Sequence, residues 1–201
     1  MRIDGKKNYD LLLAVARTVV TEEGAGASLR DIARKAGVGL ATLYRHFPTR
    51  EALLEALLRA GFDELTVRAA ELESSALPAD ALVSWLRETV AVAHRYRGVT
   101  TVMMAAIEDP DSALHSSCVT MRAAGGRLLA RAQEHGIART DIDGADLFAL
   151  IAALAWLRDQ PSHRPRADHI FDVITSSILT KQETGDSKGP RRRSRSSRSA
   201  T

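Results

Sequence analysis

Apolar residues return every three or four positions along most of this chain and nowhere alternate over a long run, a pattern that confines it to packed α-helices. Leu12, Val15, Ala16, Val19 and Val20 set the first stripe, over about 8–23, and Gly24 ends it. Aromatic residues make up only 4% of the sequence, so strands lack the side chains they favour, while Ala, Leu, Arg and Glu favour helix. Breaks fall at Gly37, Pro48, Ser74-Ser75 with Pro78, Gly98, Asp109-Pro110, Gly136 and 161–165. Between them the spacing predicts helices over 29–36 and 40–47, a long one capped by Thr49, then 79–96, 100–107, 110–135, 144–159 and 166–180. The expected fold is all-α, and no repeat is present.

The segment 28–47 constrains function most. Ser28 stands three residues before Asp31, the spacing that caps a helix N-terminus. Ala33 is small enough for a tight helix crossing, and four residues later Gly37 suits a turn of positive φ. Leu29, Ile32, Ala36, Val38, Leu43 and Phe47 supply an apolar wedge. Two short helices braced in this way suit a helix-turn-helix, while the Ala33-to-Gly37 spacing taken alone equally suits an ordinary helical corner with a solvated polar face. With Leu43 and Phe47 turned inward, Leu40, Ala41, Thr42, Arg45 and His46 lie on the other faces of the second helix. Arg45 suits guanine edges or a phosphate, Thr42 a base or phosphate, and Leu40 and Ala41 a thymine methyl. Tyr44, His46 and Arg50 are placed for flanking phosphates, and Ser28 with its following amides offers the same.

The run from Ala33 through Gly37, Gly39-Leu-Ala-Thr-Leu-Tyr-Arg-His-Phe47 and on through Pro48-Thr-Arg-Glu-Ala-Leu53 resembles the DNA-binding domain of the tetracycline-repressor (TetR) family. The resemblance is close over about 7–58 and continues by layout alone to 180. It implies an N-terminal three-helix DNA-binding domain over 6–64 and a C-terminal helical effector-binding and dimerisation domain over 65–180. It implies that Gly39, Leu40, Ala41, Thr42, Tyr44, Arg45 and His46 face DNA, with Ser28 and Arg50 on phosphates. Gly39 departs from the pattern, since many members place a capping serine there. The implied partners are double-stranded operator DNA, a second copy of the chain in a homodimer, and a small-molecule effector. Repression, relieved when the effector binds, is the family's usual mode.

For the effector pocket, the adaptable, aromatic or polar residues of the middle helices are the candidates: Trp85, Thr89, His94, Met103, Met104, His115, Cys118, Met121 and Phe148. Each is also a plausible core residue. The small run Ala123-Ala124-Gly125-Gly126 leaves two readings open, close approach of another helix or space for a ligand. For the dimer interface, Leu147, Leu150, Ile151 and Leu154 stripe one late helix and Ile170, Ile174 and Ile178 the next. Exposed on a monomer they would form a large apolar patch, so a four-helix interface is expected ahead of internal packing.

Charge is divided along the chain. Residues 181–201 hold seven basic and two acidic side chains, and residues 1–60 ten and seven; since the total is +3, residues 61–180 carry a net −5. Positive ends favour a polyanion. The tail GPRRRSRSSRSA has nothing apolar to offset ordering entropy and is expected to be disordered. It adds either non-specific phosphate affinity or nothing, and it keeps a ligand-independent architectural or RNA-binding role as the rival reading. Cys118 is the single cysteine, which rules out an internal disulfide and leaves a buried hydrophobe or a sensor thiol. No apolar run suits a signal peptide or a membrane span, so a cytoplasmic, nucleoid-associated protein without membrane contact is expected. Gly-rich phosphate loops, nucleophile elbows and His-Glu-x-x-His are absent, and Asp168-His169 with Asp172 reads as the polar side of a helix. No enzyme activity, metal or cofactor is expected.

Overall fold

The computed structural model describes residues 2–180, and the basic tail lies outside the described residues. Ten α-helices follow one another: α1 (Arg2–Glu23), α2 (Leu29–Lys35), α3 (Leu40–His46), α4 (Arg50–Glu73), α5 (Pro78–Arg95), α6 (Arg97–Val102), α7 (Met104–Glu108), α8 (Ala113–Glu134), α9 (Gly144–Asp159) and α10 (Ala167–Ile178). A single 3-10 turn, Arg164–Arg166, precedes the last. The described residues contain no strand, only an isolated antiparallel bridge between Ala138 and Leu179. There Arg139 N–H donates to the Ile178 carbonyl at 2.9 Å and Thr180 N–H to that of Ile137 at 2.7 Å, tying the end of α10 to the turn after α8.

Helix ends follow local chemistry. The Ser28, Thr49 and Ser112 side chains each accept a backbone N–H three residues on, and Asp143 with Asp146 forms a reciprocal capping box at α9. Each cap is worth about 1 kcal/mol. Two expected boundaries differ. Gly98 does not break the chain but sits inside α6, beside Ala25, whose Cβ lies 3.8 Å from the position a Cβ would take. The break comes at Met103 (φ −93°, ψ 8°), a buried residue that divides the expected helix 100–107 into α6 and α7.

Two apolar clusters form the interior. The first joins Leu12, Ala16 and Val19 of α1, Ile32 of α2, Leu43 and Phe47 around α3, and Leu53, Leu54, Leu57 and Leu58 of α4; Tyr96, Val99, Met103 and Leu114 close it from the other half of the chain. The second gathers Leu65 and Ala69 of α4, Leu82, Trp85 and Leu86 of α5, Met121 and Leu128 of α8, Leu147 and Ile151 of α9, and Phe171 of α10. α4 belongs to both, and Phe62, Val92 and Ile107 pack against both.

Candidate nucleic-acid interface and effector cavity

Between α2 and α3 the chain turns in four residues, Ala36 to Gly39. Val38 N–H donates to the Ala33 carbonyl at 3.0 Å, and Gly37 has φ +67°, a conformation costly for any residue with a Cβ. Gly39 then caps α3 in an extended conformation (φ −66°, ψ 146°) with no side chain to accept an N–H. Leu43 and Phe47 are sealed in the core. That anchoring leaves Ala41, Tyr44 and Arg45 exposed and Leu40 and Thr42 half-buried, so α3 presents one continuous outward face.

The charges around this face differ in availability. Arg34 is held by Asp31 at 3.2 Å, and Lys35 reaches Glu23 at 3.6 Å. Among the described residues, Arg45 and Arg50 have no carboxylate partner, and neither has Arg30, exposed in the first turn of α2. Sequence reasoning missed Arg30; a basic residue two positions after the cap, beside Ser28, was the available signal. Ser28 Oγ meanwhile accepts the Asp31 N–H at 3.3 Å.

His46 departs from the expected role. Its ring stands edge-on to Tyr9, 6.1 Å between centroids, and tilts against Phe47 at 6.4 Å; its Nε2 is buried with no hydrogen-bond partner. A ring held between α1 and α3 braces α3, and its buried Nε2 is not presented to a phosphate.

A cavity of about 220 Å³ lies beneath α4, α5 and α8, and its walls are mostly apolar. Thr89, Met104, Cys118, Met121 and Phe148, five of the nine candidates, line it. The other four are used elsewhere. Trp85 is fully buried core, its Nε1–H donating to the Leu65 carbonyl at 2.9 Å. Met103 belongs to the first cluster. His94 Nδ1 is 2.7 Å from Asp159 Oδ1, linking α5 to α9, and His115 Nδ1 is 2.8 Å from the Ile107 carbonyl. Leu58, Phe62, Tyr96, Ile107 and Arg122 are also among the wall residues. None of these was a candidate: a helical stripe marks Leu58 and Phe62 as core and does not show where the core is hollow. The open question at 123–126 resolves toward packing, because the Trp85 ring fills the space at Gly125.

Residues 12–57 match the model of bacterial regulatory proteins of the tetR family, and residues 77–178 that of the C-terminal domain of SbtR-like transcriptional regulators. The TetR regulator SCO0520 from Streptomyces coelicolor is 34% identical, with a TM-score of 0.70 over 86% of this chain and 99% of that one. This chain belongs to the TetR family. A TetR transcription regulatory protein from Mycobacterium vanbaalenii shares 30% identity with a TM-score of 0.68, over 89% of this chain and 99% of that one. The HTH-type transcriptional repressor KstR2 of Rhodococcus jostii is 26% identical over 176 residues, 84% of this chain and 86% of that protein. As a TetR regulator the protein binds operator DNA sequence-specifically as a homodimer, responds to a small-molecule effector, and is not an enzyme. No helix among the described residues is long and apolar enough to cross a membrane.

The last two helices of this TetR chain divide the expected interface stripe. Leu147, Ile151, Leu154 and Ile178 are buried in the second cluster of their own subunit, so they are not available to a partner. Leu150, Ile170 and Ile174 are half-buried against that cluster. The outward faces carry Ala149, Ala153 and Trp156 on α9, with Trp156 58% exposed, and Val173 on α10, 52% exposed. A signal was present: α9 is apolar on every side, and such a helix needs cover on every side.

Proposed function

We propose that residues 6–64 read the operator and residues 65–180 bind the effector and the partner subunit, with α4 running unbroken across that boundary as the connecting lever. On this reading Leu40, Ala41, Thr42, Tyr44 and Arg45 enter the major groove. Gly39 lets the start of α3 approach the backbone, while Ser28, Arg30 and Arg50 hold phosphates. The observation that carries it is the exposure of Ala41, Tyr44 and Arg45 on a helix fixed from behind by Leu43 and Phe47. A two-fold dimer would set two such helices about 34 Å apart on a near-palindromic site. Ala149, Ala153, Trp156, Ile170, Val173 and Ile174 form the self-complementary face that pairs the subunits.

The protein acts as a repressor released by its effector, a reading supported by the similarity to KstR2. The effector site is the cavity under α4. Its wall residue Tyr96 also belongs to the first cluster, against α1. Burial pushes the Tyr96 phenol above its usual range, and the positive charge of nearby Arg17 opposes that shift. Arg17 in turn grips Glu64 of α4 through two hydrogen bonds, one of 3.0 Å. A ligand that displaces Tyr96 therefore bears on the joint between α1 and α4, and it shifts the population from DNA by its preference for the displaced state.

Sequencing the genomic fragments captured by the purified full chain tests the reading: near-palindromic promoter sites are expected, and uniform capture would contradict it. A fluorescent fusion should sit on the nucleoid.

A further inference from the structure

Among the residues lining the cavity, Arg122 alone is charged, and no carboxylate faces the space. Its guanidinium carbon stands 5.3 Å from the centre of the Phe148 ring, and among the described residues it has no carboxylate partner. Two of the hydroxyls in the wall are already used as donors: Thr89 Oγ1–H donates to the Trp85 carbonyl at 2.8 Å and Thr100 Oγ1–H to the Tyr96 carbonyl at 3.1 Å, whereas the Tyr96 hydroxyl is buried with no hydrogen-bond partner. Directional donors for a ligand therefore come from two places, the Tyr96 hydroxyl and the exposed fork of Arg122, and only the second carries a charge.

We infer that the effector is a small organic acid whose apolar body fills the cavity and whose carboxylate meets Arg122, an inference that rests on reading this cavity as the effector site. A planar guanidinium fork matches a carboxylate through two parallel hydrogen bonds. An amine would meet like charge and no counter-charge. Size limits the body: a cavity of about 150 Å³ takes benzene, so 220 Å³ suits a ring with a short chain, about eight to ten carbons. Phe148 then serves twice, stacking under the guanidinium and forming wall.

Titration calorimetry of the full-length protein with 4-phenylbutyrate, 4-phenylbutan-1-ol and 4-phenylbutylamine tests this. The acid should bind about five- to tenfold more tightly than the alcohol, the amine more weakly than either, and the preference should shrink as salt rises because Arg122 is solvent-facing. Arg122→Gln should bring the acid down to the alcohol and leave the alcohol unchanged; Arg122→Lys should keep part of the preference. Equal binding of acid and alcohol by the parent protein, or a preference that survives Arg122→Gln, overturns the inference. Alcohol binding, blocked by cavity-filling Cys118→Phe or Thr89→Leu, reports the cavity separately: acid and alcohol bound equally with that block intact would refute the acid alone. Failure of all three probes would remove both the acid and the cavity's role.

Discussion

The indole of Trp85 occupies the space into which a side chain at Gly125 would project: a Cβ built there would lie 2.2 Å from Trp85 Cη2. The contact closes α5 against α8, and the hydrogen bond from Trp85 Nε1 to the Leu65 carbonyl fixes the ring from the other end. Gly125→Ala should destabilise the protein by about 1–3 kcal/mol, because neither the ring nor the helix can yield. Gly126→Ala, whose Cβ meets nothing within 4 Å, should be neutral or stabilise by up to about 1 kcal/mol through helix propensity. Urea titrations of the two variants give the comparison, and equal effects would refute the close approach.

The backbone of Gly39 is open to any residue, and a Cβ there would find only Thr42 Oγ1 at 3.9 Å. Gly39→Ser should cap α3 and raise stability by a few tenths of a kcal/mol, read as a higher denaturation midpoint with an unchanged slope. A lower midpoint would show that α3 begins differently.

His46→Ala should act through folding. Removing the ring between Tyr9 and Phe47 costs about 1 kcal/mol or more of stability, while the salt dependence of operator binding keeps its slope. A slope reduced by one phosphate contact per subunit, with stability unchanged, would return His46 to the DNA.

Arg17→Gln should barely change stability, by less than about 1 kcal/mol, since both partners of the Arg17–Glu64 pair are partly exposed. It should instead reduce, severalfold, the ratio of operator affinities without and with 4-phenylbutyrate, measured by fluorescence anisotropy. An unchanged ratio would mean that the joint between α1 and α4 does not carry the signal.

Helix periodicity and capping made most elements legible: Thr49 starts α4 and the expected span 144–159 is that of α9. The outward face of α3 was legible for the same reason, since Leu43 and Phe47 are four apart and fix which of its sides remain outside. Tertiary choices were not. His46 and Arg45 are adjacent polar residues, and only the position of Tyr9 on α1 decides that one ring turns inward. Leu147 and Ile151 carry the stronger apolar stripe of α9, so the subunit keeps them, and the weaker Ala149, Ala153 and Trp156 are left outside. The cavity was hardest, because a wall residue and a packed residue are chemically alike; Trp85 and Phe148, 6.0 Å apart, fall on opposite sides of that distinction.

Gel-shift titration of a captured operator with Arg45→Ala, alongside the parent protein, probes the reading helix itself. Loss of a base or phosphate contact in each half-site should weaken binding by about 1–3 kcal/mol per contact, roughly 5- to 150-fold for each of the two, while the circular-dichroism melt and the dimer mass stay as they were. An operator affinity untouched by the substitution, in a protein equally folded and dimeric, would show that the outward face of α3 does not read DNA.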